Sequence, residues 1–120
     1  MKRLITLLAL GTAAAVGLSA PALAHTRLVS SDPAANATVK APATITLRFS
    51  EQLVPTFSKF DLSMPAHHMV VPVRTAISAD RQSIVGTPAA ALAAGEYTVT
   101  WTAASQDGHR MTGHYNFKVG

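Results

Sequence analysis

The sequence has 120 residues and a formal net charge of +4, from ten Lys or Arg and six Asp or Glu. This length suits one domain with a modest core. The chain contains no cysteine, which excludes disulfide staples, iron–sulfur clusters, cysteine-ligated zinc fingers and blue-copper centres.

Residues 1–24 are predicted to be a secretory signal peptide. Lys2 and Arg3 give a positive start, an apolar run covers residues 4–16, and small residues precede position 25. The apolar run is too short to span a membrane comfortably, since spanning takes about 20 apolar residues. We therefore expect an exported mature domain of residues 25–120 whose first residue is His25.

Loss of the signal changes the charge of the chain. It removes Lys2 and Arg3, which leaves eight Lys or Arg against six Asp or Glu and lowers the formal charge from +4 to +2. The remaining basic residues are scattered and form no run, so a nucleic-acid partner is not expected.

The mature region predicts an all-β fold. Apolar and polar residues alternate in residues 44–49, 60–64, 97–102 and 115–119, with Pro, Gly, Asp and Ser between the alternating runs. A period of two with one apolar face is what an antiparallel sandwich requires. About seven short strands predict a seven-stranded Greek-key β-sandwich or barrel, immunoglobulin-like or cupredoxin-like.

His25 is the first candidate metal ligand. A free N-terminal histidine chelates a metal through its amine and its ring Nδ1, which suits Cu(II), an ion that favours tetragonal nitrogen and oxygen ligands. Binding displaces a proton from an amine whose ordinary pKa is about 7.7–8.0, so affinity should fall in acid. The alternative is that cleavage leaves a histidine there by chance.

Asp107-Gly108-His109 is the second candidate. Asp-Gly between two alternating runs is a preferred hairpin turn, which would make Asp107 a turn residue and His109 a surface residue. A second imidazole with a carboxylate would instead complete a square arrangement of four Cu(II) ligands, of which His25 supplies the first two. The two candidates support each other only if the fold brings them together.

Met64, His67, His68 and Met69 place two thioethers and two imidazoles within six residues. Thioether sulfur selects Cu(I), which makes the His-His-Met part a candidate Cu(I) site. Alternatively, Met64 continues the apolar face of the preceding strand, Met69 begins the next strand, and the two histidines form a loose surface metal site. We expect Met64 in the core.

Taken together, these stretches resemble the CopC family of small periplasmic copper-resistance proteins over essentially all of residues 25–120. Each stretch is weak alone, and together they are specific. The stretches are His25–Leu28, Ser31–Ala34, Leu47–Glu51, Leu92–Trp101, Ser105–His109 and Gly113–Val119.

The resemblance implies a Greek-key barrel or sandwich that binds Cu(II) in the periplasm. It implies ligands from the amine and ring of His25, from Asp107 and from His109. Glu51, which follows a Phe-Ser pair, corresponds to a distal ligand or to a residue that orients one.

Many members of the resembling family also bind Cu(I) in a methionine-rich loop at the far end of the barrel. This sequence departs from that pattern, because its loop is reduced to Met64, His67, His68 and Met69. A minimal Cu(I) site would use both methionines and one of the two histidines.

The predicted function is copper homeostasis or resistance by a carrier that is not an enzyme. It would hold Cu(II) and pass copper to a membrane importer, because the resembling family is often encoded with a CopD-type membrane partner. The alternative is a copper-dependent oxidase or monooxygenase, since polysaccharide oxygenases also chelate copper with an N-terminal histidine. Few aromatic residues and an equatorial Asp107 argue against that alternative. A third alternative is an immunoglobulin-like assembly module without metal.

Overall fold

The computed structural model describes residues 26–120, so the predicted signal peptide and His25 lie outside the described residues. Within residues 26–120, nine strands form two sheets, and 3₁₀ turns at Pro55–Phe57 and Pro65–His67 flank the fourth strand. The strands are β1 (Leu28–Asp32), β2 (Thr38–Val39), β3 (Ile45–Phe49), β4 (Lys59–Met64), β5 (Met69–Val71), β6 (Val73–Ile77), β7 (Ser83–Pro88), β8 (Gly95–Ala104) and β9 (Arg110–Val119).

The two sheets confirm the predicted all-β sandwich. One sheet has the order β1-β3-β7-β6 and the other β2-β9-β8-β4-β5. All neighbours are antiparallel except β2 and β9, which run parallel. The described strands number nine rather than seven because β2 and β5 have only two and three residues. Runs this short cannot display the alternation by which a strand is recognised in a sequence.

The alternating residues bury one face of each sheet, as the period of two predicted. On β3, Ile45, Leu47 and Phe49 are buried, and on β8, Tyr97 and Val99 are buried. Side chains from both sheets form one hydrophobic cluster. Burial of apolar area at about 25 cal/mol per Å² is the main term that holds the sheets together.

The longest hairpin, β8–β9, is organised around Trp101. Its ring packs against the Phe49 ring of the other sheet in an edge-to-face geometry, with the two ring centroids 5.0 Å apart. Its cross-strand neighbour is Gly113, where a Cβ atom would lie only 2.4 Å from the indole. The indole therefore occupies the space that any larger residue at position 113 would need.

Tyr97 fastens the alanine-rich connection between β7 and β8. Its hydroxyl donates to the carbonyl of Ala93 at 2.6 Å, and its ring stacks on Phe117 at 5.4 Å. A tyrosine that bonds back to the preceding corner is a recurring device of Greek-key sandwiches. This contact fixes where β8 begins, and so the register of the hairpin that carries the candidate site.

Candidate metal centre

The loop of residues 105–109 joins β8 to β9 and contains the predicted Asp-Gly turn. The amide of Gly108 donates to the carbonyl of Ser105 at 3.0 Å, and the amide of Ser105 donates to the carbonyl of His109 at 3.1 Å. Gly108 has a φ of 89°, a conformation that glycine adopts without steric cost. The predicted hairpin is therefore present, but its closing bond makes Gln106 and Asp107 the central residues of the turn, and positive φ is found at Gly108 and not at Asp107.

The carboxylate of Asp107 accepts hydrogen bonds on both oxygens. Oδ1 accepts from the Ser105 hydroxyl and from the backbone N–H of His109, the latter at 3.0 Å. Oδ2 lies 2.9 Å from Nδ1 of His109. The Ser105 hydroxyl, followed by the bonds from His109, holds the pKa of Asp107 well below its usual range. The loop therefore presents an anionic carboxylate beside an imidazole at the protein surface.

The Asp107–His109 contact also assigns roles to the two ring nitrogens. When Nδ1 donates its proton to the carboxylate, Nε2 carries the lone pair and points away from Asp107. The two side chains are 50% and 59% exposed, respectively, so a metal in solution can reach the pair.

Glu51 lies on the same face as Asp107. The two residues line a surface cleft of about 330 Å³ together with Gln52, Ser105 and Gln106. The cleft forms because Leu53 bridges Ser105, which joins the segment after β3 to the β8–β9 loop. The structure thus brings together Glu51 and Asp107, which are far apart in the sequence.

The first described residues run beside this cleft. The amide of Arg27 donates to the Ser50 hydroxyl at 3.0 Å, and the amide of Ser50 donates to the carbonyl of Arg27 at 2.9 Å. Thr26 is fully buried. The start of the described chain therefore pairs with Ser50, the residue that directly precedes Glu51.

The methionine and histidine segment lies elsewhere. Met64 is 6% exposed and belongs to the hydrophobic cluster, which confirms its expected place in the core. Met69 pairs with Met64 in register but is 49% exposed. His67 and His68 are exposed, and His68 adopts a left-handed conformation with a φ of 50°. The exposed donors of this segment are therefore two imidazoles and one thioether.

The two candidate copper sites lie at opposite ends of the sandwich. At one end of β4, Lys59 pairs with Thr102 near the 105–109 loop. At the other end, Met64 packs against Gly95. The five residue-to-residue steps from Lys59 to Met64, at about 3.3 Å each, separate these ends by about 17 Å. The two sites cannot share one ion.

The described donors do not make a complete metal site by themselves. Among residues 26–120, no group of three or more His, Cys, Asp or Glu side chains is placed to hold a metal ion. Asp107 and His109 are the two of these side chains that lie in direct contact on the 105–109 loop. Within the same range, no helix is long and apolar enough to cross a membrane.

Two features of this end were missed in the sequence. Ser105 is part of the Ser105–His109 stretch, but the hydrogen bond from its hydroxyl to Asp107 is visible only in the folded loop. Arg110 lies with its guanidinium carbon 4.4 Å from the centroid of the Phe57 ring, a long-range contact with no local signal.

Comparison with known proteins identifies the family. The family model for the CopC domain matches residues 28–120. Copper resistance protein C of Pseudomonas syringae pv. tomato is 46% identical over 113 residues, covering 89% of this chain and 90% of that protein. Copper resistance protein C of Escherichia coli is 41% identical over 111 residues, covering 87% and 88%.

Two solved structures have the same fold. PcoC, a methionine-rich copper resistance protein from Escherichia coli, superimposes with a TM-score of 0.74 at 44% identity, covering 81% of this chain and all of that one. CopC from Methylosinus trichosporium OB3b gives a TM-score of 0.71 at 31% identity, covering 79% and 93%. The chain described here belongs to the CopC family.

Proposed function

We propose that this protein is an exported copper-binding protein that holds Cu(II) through His25, Asp107 and His109. The observation that carries the proposal is the hydrogen-bonded pairing of Arg27 with Ser50, next to Glu51. Thr26 directly precedes this pairing, so the described chain begins beside the segment that carries Glu51, which lines the cleft together with Asp107.

The donor chemistry fits Cu(II). After cleavage at Ala24, His25 would supply an amine and a ring nitrogen, His109 a second imidazole and Asp107 an oxygen that neutralises charge. Three nitrogens and one oxygen match the tetragonal preference of Cu(II). Glu51 would serve as a distal ligand or would orient one of the others.

The relatives support copper as the cargo. The similar proteins are named copper resistance proteins, and this chain keeps the Asp107–His109 pair in bonded contact. We therefore assign it a role in copper homeostasis in the periplasm. In this role it delivers its copper to a CopD-type membrane transporter. A site filled by four donors favours storage and transfer over an oxidase or monooxygenase reaction, which needs an open position.

A second, weaker site for Cu(I) is part of the proposal. Its exposed donors are His67, His68 and Met69, and Met64 could join only if its buried thioether moved out of the core. A Cu(I) competition titration should detect one equivalent of Cu(I) whose binding is lost in a His67→Ala, His68→Ala double variant. Unchanged Cu(I) binding in that variant would remove this site.

An N-terminal extension tests the Cu(II) site. The exported protein is checked by mass for a start at His25 and titrated with Cu(II) under EPR, beside a control that carries one extra residue before His25. We expect one tightly bound type-2 Cu(II) with nitrogen couplings in the exported protein, and a large loss of affinity in the control. Equal affinities would show that the amine is not a ligand.

A further inference from the structure

Met69 is the most exposed of the described methionines. Residues 26–120 contain three methionines, and Met69 is 49% exposed whereas Met64 is 6% exposed. Met111 is partly buried and packs against the hydrophobic cluster. An oxidant has to touch the sulfur to convert a methionine into its sulfoxide. An oxidant in solution should therefore reach Met69 before the other two.

The strand that begins with Met69 lies at the edge of its sheet. β5 is the last member of the order β2-β9-β8-β4-β5, so strand pairing within residues 26–120 holds it on one side, through β4. Val70, the next residue, is 74% exposed. His68, the preceding residue, is exposed and has a left-handed backbone. Met69 is therefore open to solvent from the edge of the sheet.

Met69 also lines an apolar surface groove of about 240 Å³. Met64, Leu92 and Tyr97 are among the other lining residues. Tyr97 supplies the polar side-chain group of this lining, and its hydroxyl already donates to the carbonyl of Ala93. A sulfoxide oxygen is a strong acceptor, and a polar group without a hydrogen-bond partner is costly in apolar surroundings. We therefore expect the side chain of oxidised Met69 to leave the groove for solvent.

We propose that Met69 is a site of reversible oxidation by hydrogen peroxide, and that its oxidation releases Cu(I) from the segment of His67, His68 and Met69. The sulfur gives up two electrons and gains one oxygen atom, the O–O bond of the peroxide breaks, and the other oxygen leaves as water. The soft thioether that selects Cu(I) is then replaced by a polar sulfoxide. The release step rests on the proposed Cu(I) site, whereas the oxidation step does not.

Two substitutions remove a thioether and nearly keep the volume of the side chain. Met69→Leu removes the exposed thioether, and Met111→Leu removes the partly buried one on β9, where Met111 pairs with Ala103. Folded proteins tolerate the exchange of Met for Leu well. Met111 lies at the end of the sandwich that carries the 105–109 loop, away from residues 67–69, so Met111→Leu is the matched control.

The first measurement follows the metal-free protein during treatment with dilute hydrogen peroxide. Peptide mass mapping reports which methionine gains an oxygen atom. We expect Met69 to be oxidised first, and methionine sulfoxide reductases for both epimers to restore its original mass. Oxidation of Met64 or Met111 at the same rate as Met69, or a Met69 sulfoxide that the reductases leave unchanged, would overturn the assignment of the modification site.

The second measurement is Cu(I) affinity by competition with bathocuproine disulfonate, before and after this treatment. Loss of a residue that only orients a ligand lowers metal affinity by about 10- to 100-fold, so loss of the thioether itself should lower it by about tenfold or more. We expect that loss in the wild type and in Met111→Leu after peroxide, and in Met69→Leu without peroxide. Unchanged affinity after full oxidation of Met69 would overturn the release step. If the untreated wild type binds no Cu(I), the proposed Cu(I) site and the release step both fail, while the order of oxidation still decides the modification site.

Discussion

The contact between Trp101 and Gly113 illustrates how single residues fix this fold. The indole lies over the glycine in the middle of the β8–β9 hairpin and meets Phe49 across the core. A side chain at position 113 would compete with the indole for the same space. This contact lies on the hairpin whose loop carries Asp107 and His109, so it supports the site from within the core.

Gly113→Ala should therefore destabilise the protein. The added Cβ would lie 2.4 Å from the Trp101 ring, and overpacking of this kind costs about 1–3 kcal/mol. Unfolding in urea, followed by the fluorescence of the single tryptophan, measures the cost. Gly120→Ala is the control, because its Cβ would meet only a Thr38 methyl at 3.3 Å. Equal stability of the two variants would contradict the packing account.

Tyr97→Phe isolates one hydrogen bond. It removes the bond from the hydroxyl to Ala93 and keeps the ring that stacks on Phe117. A hydrogen bond of this kind contributes about 0.5–1.5 kcal/mol, which is the loss in free energy of unfolding that we expect. Amide exchange near Ala93 should rise at the same time. A variant as stable as the wild type would show that stacking alone holds the corner.

At the scale of elements, the turn between β6 and β7 carries a carboxylate whose protonation in acid should lower the stability of the protein. The turn between β6 and β7 contains Asp80, whose carboxylate accepts from the Ser78 hydroxyl and from the amide of Gln82 and faces Arg48. The Ser78 bond, followed by the Gln82 amide, lowers the pKa of Asp80 from its ordinary 3.8. The turn is therefore more stable with an ionised Asp80 than with a protonated one.

Asp80→Asn should flatten the acid dependence of stability. A lowered folded-state pKa contributes stability that is present above pH 3.8 and is lost as the pH falls through the folded-state value. Urea unfolding from about pH 5 to about pH 2.5 should show a steeper decline for the wild type than for Asp80→Asn. Parallel curves would mean that the hydrogen bonds around Asp80 do not favour its charged form.

The elements also separate what a sequence can predict from what it cannot. The β8–β9 hairpin was predictable, because alternation and an Asp-Gly turn are local signals. The two-residue strand β2 was not, since two residues carry no period, whereas a strand beginning at Met69 was one interpretation of the sequence and β5 begins there. The pairing of β1 with β3 joins segments that are not adjacent in the sequence, and no local sequence pattern indicates it.

For the whole molecule, the sequence predicted an all-β sandwich and named Asp107, His109 and Glu51. It could not show that Glu51 and Asp107 line one cleft, because that depends on how the two sheets pack. The hydrogen bond from the Ser105 hydroxyl to Asp107 was also hidden, since burial and bond direction are properties of the folded chain. The two candidate copper sites then lie at opposite ends of β4, which are about 17 Å apart.

This separation allows one measurement to test the central claim, which is that Cu(II) binds at the Asp107–His109 end. A ¹⁵N-labelled mature protein that starts at His25 receives one equivalent of Cu(II), and its amide spectrum is recorded. The paramagnetic ion broadens signals of nearby nuclei. We expect loss of signals from residues 50–52 and 105–110, with those of residues 64–71 preserved. Broadening centred on His67 and His68 instead would contradict the account.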